Sequence, residues 1–232
     1  MKLPFTTEEF LKVFEKYNLL LWPVQYILVL MAIFALFLGV KKTNYSARLI
    51  ALILSVFWFW MGAVYHFSFF SAINKLAYVF GALFIVQGIL FQYAGLLRNQ
   101  FSFQFKYTIH GIAGAIIMLF ALVIYPLIGY GLGRTYPLSP TFGLPCPTTI
   151  FTFGILLWTD KKFPPHFLII PLLWSVIGFS ASIYLGIYED TGLLAVAIIA
   201  VLLILISNKK TKDQSRQKLN RVKSGRGSTH QP

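Results

Sequence analysis

Long apolar runs broken by short charged clusters set the frame of this chain. From Trp22 onward seven stretches lack Lys, Arg, Asp and Glu: Trp22 to Val40, then between Arg48 and Lys75, Lys75 and Arg98, Lys106 and Arg134, and Arg134 and Asp160, then about His166 to Ile187, and finally Thr191 to Ser207. Most are long enough to carry a helix across the roughly 30 Å hydrocarbon core of a bilayer. Ahead of them, Thr6 followed by Glu9 fits a capping box, and Phe10, Leu11, Phe14 and Tyr17 recur at helical spacing. This pattern predicts an amphipathic helix lying at the interface. Glu8, Glu9 and Glu15 stand where a cleavable signal peptide would need an apolar core, so the segment is expected to stay on the mature protein.

The predicted fold is therefore all-α, an integral membrane helical bundle of seven transmembrane helices. Its expected divisions are an interfacial helix over residues 1–21, a membrane domain over 22–207 and a disordered basic tail over 208–232. Composition agrees: 57% of residues are hydrophobic and only 12% charged, against about 25% charged in soluble domains.

Charge sets the orientation. Seven crossings put the termini on opposite sides, and alternate loops then carry fifteen Lys and Arg on the side of the tail against five on the other. The positive-inside rule places the N-terminus outside and the C-terminus in the cytoplasm, in the cell membrane. Eight of the fifteen lie in the tail, Lys209 to Arg226, opposed there only by Asp213. Anionic lipid is the expected partner of the tail. Nucleic acid is not, because no stacking aromatics or recognised motif accompany the charge.

The fifth stretch is abnormal. Pro137, Pro140, Pro145 and Pro147 forbid regular helix in its first half, leaving a short, broken fifth helix from near Pro147 to Thr159. At 1.5 Å per residue this is roughly 20 Å, too short for the core, so its N-terminus is expected below the outer surface. Irregular backbone at that depth must be buried in protein or line a cavity. Cys146, the sole cysteine, sits at that helix start with Thr148 and Thr149 behind it. A thiol there is favoured as thiolate, a nucleophile and a soft-metal ligand. It is equally readable as a small buried hydrophobe.

Other polar groups fall at the same outer end: Tyr65 and His66, roughly 27 Å up the second helix from Arg48; Arg134 and Tyr136 at the start of the Pro-rich segment; Glu189 and Asp190 in the last outer loop. Cys146, His66 and Glu189 are candidate ligands of a soft transition metal. Glu189 and Asp190 also fit simple capping of the last helix, and Arg134 fits a partner of Glu189. Gly178, Ser182 and Gly186, four residues apart, read as a close helix-packing face that suits internal packing or a homo-oligomer. Gln25, Gln87 and Gln92 read as interhelical hydrogen bonds.

The run Pro140-Thr-Phe-Gly-Leu-Pro-Cys-Pro-Thr-Thr-Ile-Phe-Thr-Phe-Gly154, with Trp60-Met-Gly-Ala-Val-Tyr-His66 and Leu3-Pro-Phe-Thr, resembles an uncharacterised prokaryotic family of small multi-pass membrane proteins, a domain of unknown function. The resemblance covers about residues 3 to 207 and implies a membrane protein without an assigned activity. Three function classes stay open: a permease or receptor taking a small ligand or soft metal ion at the outer face, a membrane-embedded enzyme acting on a lipid-type substrate through a Cys146 nucleophile or bound metal, and an auxiliary structural subunit.

Overall fold

A computed structural model describes residues 4–227. Eight helices follow in order: α1 Thr7–Leu20, α2 Val24–Val40, α3 Ser46–Ala72, α4 Ala77–Leu97, α5 Ile109–Gly131, α6 Pro145–Leu156, α7 Pro165–Leu185 and α8 Thr191–Gly227. Among the described residues there is no strand, only two isolated bridges, Phe103 with Thr159 and Phe142 with Leu144.

Helices α2 to α8 occupy the seven predicted stretches, but only five are long and apolar enough to cross a membrane: α3, α4, α5, α7 and the segment Tyr188–Lys209. The count becomes six when α1 and α2, which meet at 84°, are taken as one broken span. Helix α2 has 17 residues, roughly 26 Å at 1.5 Å per residue. Helix α6 has 12 residues and is enclosed on every side, with eleven of them, Pro145 and Pro147 to Leu156, buried. It begins two residues before Pro147, because first-turn prolines need no N–H partner.

The predicted capping box is present: the Thr6 hydroxyl accepts from the Glu9 N–H at 3.2 Å, and the Thr6 N–H donates to the Glu9 carboxylate at 2.7 Å. Val13, Phe14 and Tyr17 form one face of α1 and are buried against the bundle. Asn18 then ties α1 to the Pro-rich segment, donating to the carbonyls of Pro137 and Ser139 at 2.6 and 2.8 Å and accepting from Thr141 Oγ1 at 2.7 Å. Two glutamines make the predicted contacts between elements: Gln25 donates to the Asn18 carbonyl and Gln87 to that of Phe167.

Interactions at the two ends of the bundle sort the loops into two sets. At one, Lys42 Nζ reaches Asp160 Oδ2 at 2.7 Å, the Phe105 N–H donates to Gly39, and Asn208 exchanges two hydrogen bonds with Phe163. At the other, Asn18 holds the Pro-rich segment and Arg134 meets Glu189. Residues 18 and 208 thus lie at opposite ends, called here the Asp190 end and the Asp160 end. Helix α8 continues to Gly227, unlike the irregular tail expected from residue 208. Residues 208–223 contain no Gly or Pro, so a helix already nucleated in the bundle propagates at one hydrogen bond per residue fixed. Residues 228–232 of the expected tail lie outside the described residues.

At the Asp160 end, burial raises the Asp160 carboxyl, but hydrogen bonds from Lys42 and Ser102 and the Lys42 charge outweigh it, holding the pKa below its ordinary 3.8. A carboxyl depressed on folding adds stability that is complete above the unfolded value and disappears as pH falls through the folded one. We expect thermal melts below about pH 4 to lower the midpoint of the native protein more than that of Asp160→Asn. Parallel curves would show that the pair adds nothing.

Candidate functional site

The Asp190 end holds a cavity of about 350 Å³, within the range of small-molecule sites. One wall is α7 from Trp174 to Leu185; another is the start of α6 with Leu144; the aromatic face of α1, Phe5 before it and Phe70 in the last turn of α3 close the rest. Nearly all of this lining is carbon. Four of its polar groups come together from elements far apart in sequence: Tyr65 on α3, Tyr125 on α5, Cys146 on α6 and Asp190 in the turn before α8.

Asp190 lies in a 3₁₀ turn, Tyr188–Asp190, where three residues make a full turn and adjacent side chains diverge by about 120°. Asp190 and Glu189, both buried, consequently have different partners. The Asp190 carboxyl accepts a short hydrogen bond from the Tyr125 hydroxyl and faces the Cys146 thiol. Glu189 is clamped by Arg134, whose Nε donates to Oε1 at 2.9 Å while Nη2 donates to Oε2. Arg134 Nη1 also reaches the Gly186 carbonyl at 3.4 Å. The suggested Arg134 and Glu189 partnership is therefore present: Glu189 holds the α5 exit to the final turn, and Asp190 faces the cavity.

Cys146 is the second residue of α6 and half-buried. Its sulfur faces Gly178, where a methyl would stand at an ordinary 3.6 Å from it and at a tighter 3.0 Å from Leu193 Cδ2. The group facing the sulfur is a carboxyl, so the helix N-terminus is not joined by a cation that would hold a thiolate. The Trp174 indole lies with its N–H beside the same sulfur and has no oxygen or nitrogen acceptor.

His66, the candidate from the second predicted span, packs inside the bundle. It is fully buried in a π-helical stretch of α3, Trp60–Phe69. Its Nδ1 is 2.8 Å from the Met61 carbonyl, Nε2 has no partner, and the ring packs on Phe84 and Trp174 with centroids 4.6 and 5.2 Å apart. His66 therefore stands behind Trp174. Among the described residues no three of His, Cys, Asp and Glu are grouped so as to hold a metal ion; the set Cys146, His66 and Glu189 is not assembled, because Glu189 is spent on Arg134.

The remaining candidates are structural neighbours. Tyr136 donates to the Asn18 carbonyl at 3.1 Å. Thr148 accepts from the Gly143 N–H at 3.0 Å, which fixes the turn into α6; Gly143 has φ +99°, a left-handed conformation natural to glycine. Thr149 is buried with an unpartnered hydroxyl. Tyr125 and Trp174 are the site residues that sequence reasoning missed, since a tyrosine inside an apolar run reads as packing. The only signal was the order Tyr125-Pro126 in mid-span.

A family model described as a family of unknown function, DUF6064, matches residues 7–216. No curated protein and no solved structure matches the chain.

Proposed function

Because the chain belongs to this family of unknown function, DUF6064, its own geometry has to carry the functional reading, and we propose that it is a cell-membrane permease or receptor binding a small, largely apolar molecule at its outer end. The observation that carries this is the carbon-lined cavity with Tyr65, Tyr125, Cys146 and Asp190 converging in it. An ionisable side chain buried among apolar helices is costly unless function retains it. In this reading α2 to α8 cross the membrane seven times, α6 in the shelter of its neighbours, and the Asp190 end faces outward. Residues 18 and 208 at opposite ends support an odd number of crossings, and the Lys and Arg excess near the Asp160 end supports the orientation.

The enzyme reading has less support. A Cys nucleophile needs a base within hydrogen-bond reach, and the His66 nitrogens make no bond to the sulfur.

Native mass spectrometry of protein released gently from membranes tests the proposal. The expected result is a bound molecule of defined mass on the native protein and none on Ala181→Trp, which fills the cavity, with both folded by circular dichroism. A native protein with no bound molecule, and with Cys146 alkylated by a small maleimide as fast as in the Trp variant, would overturn it.

A further inference from the structure

The cavity is elongated along α7 and open on one flank. Val176, Ser180 and Tyr184 recur every four residues on one face of α7; all three border the cavity and all are exposed, as is Leu76 across from them. They span roughly 12 Å of helix, within a segment apolar enough to lie in a bilayer. The opening therefore faces lipid, and its occupant can enter sideways with its chain along α7.

The carboxyl at the inner end of this slot has no cationic partner: among the described residues no ion pair includes Asp190, and the nearby guanidinium of Arg134 is committed to both oxygens of Glu189. Asp190 meets only neutral donors, the Tyr125 hydroxyl and the Cys146 thiol. A buried carboxylate is stabilised when paired with a cation. The rings of Tyr65, Phe70, Tyr125 and Trp174 line the same cavity, and aromatic rings can favour a cationic guest. The Trp174 side chain is more than nine-tenths buried and lines the cavity, and its N–H has no oxygen or nitrogen acceptor, only the weakly accepting Cys146 sulfur beside it.

We propose that the occupant is a single-chain amino-alcohol amphiphile taken from the bilayer, its ammonium paired with Asp190, its hydroxyl oxygen accepting from Trp174 and its alkyl chain lying along α7. The inference rests on the cavity reading above and adds the chemical class of the ligand.

The test uses full-length protein in nanodiscs and three ten-carbon probes: decanol bearing an amine on the carbon next to its hydroxyl, decanol itself, and decanoate. Protection of Cys146 from maleimide reports occupancy. The expected result is that the amino alcohol protects at about tenfold lower concentration than decanol or more, the range of a desolvated charge pair, and that decanoate is weakest. Asp190→Asn should abolish the difference between amine and alcohol without abolishing protection by decanol, which also shows that the variant has kept its cavity. Equal protection by all three probes in native protein and variant would overturn the amine assignment and leave the cavity reading standing. No protection by any probe, together with no bound molecule in native mass spectrometry, would overturn both.

Discussion

Arg134→Met is expected to destabilise the protein by about 3–5 kcal/mol, the usual consequence of removing one partner from a buried ion pair. In a chain of this size that is a fall of about 10 °C in the thermal midpoint. The Glu189 side chain is wholly buried and that of Arg134 is 17% exposed, so the screening that makes surface pairs nearly worthless does not apply. Losing the guanidinium strands a carboxylate with both oxygens unpartnered and also removes the tie to the Gly186 carbonyl. The double variant Arg134→Met, Glu189→Leu should recover most of the loss, because an apolar pair carries no desolvation cost. The two variants and Glu189→Leu complete a double-mutant cycle in detergent. A single variant within about 1 kcal/mol of native would mean that the clamp is not a buried pair in solution.

That clamp illustrates what the sequence could and could not convey. Glu189 and Asp190 stand next to each other between two apolar runs, and from the sequence alone they are one acidic patch. The 3₁₀ turn separates them, giving one to Arg134 and the other to Tyr125 and Cys146. The positions of the helices were legible because charge cannot lie in the middle of a span, so each charged cluster marks a boundary. The end of the molecule at which His66, Cys146 and Asp190 gather was legible for the same reason, by counting reversals. Depth and azimuth were not. Distance from Arg48 places His66 along α3, but nothing in that distance says that the Phe84 and Trp174 rings bury it completely. Tyr125 and Trp174 contribute the polar atoms nearest Asp190 and Cys146 from inside apolar runs, where their one polar atom is outweighed by their rings.

The same gap between pattern and contact appears in the glycines, and it yields the other large expected effect. Small residues four apart suggested a packing face at Gly178, Ser182 and Gly186. In the structure Gly178 does lie on such a face, a methyl there standing 3.0 Å from Leu193 Cδ2 of α8, while Gly186 is the left-handed cap of α7, φ +68°, with open space around it. A closer helix approach lies where α5 crosses α6. A methyl on Gly114 would stand 2.6 Å from the Gly154 carbonyl oxygen and 2.8 Å from Trp158 Cδ1, and the facing Gly154 is equally confined by Met118 and the Gly114 carbonyl. Backbone cannot yield as a flexible side chain can, and α6 is enclosed on every side, so it has nowhere to move. Gly114→Val should therefore destabilise by about 3 kcal/mol or more, the upper range for overpacking a filled core, and should disturb the Trp158 indole, which donates to the Gly111 carbonyl at 2.9 Å. Gly131→Ala is the internal control. It lies near the end of the same helix with nothing within 4 Å of the added methyl, and replacing a helical glycine there should be neutral or stabilise by about 0.5–1 kcal/mol. Unfolding and tryptophan fluorescence of the two variants side by side decide the matter: opposite signs place the cost in the contact between α5 and α6, and equal small effects would mean that these helices are further apart than the structure has them.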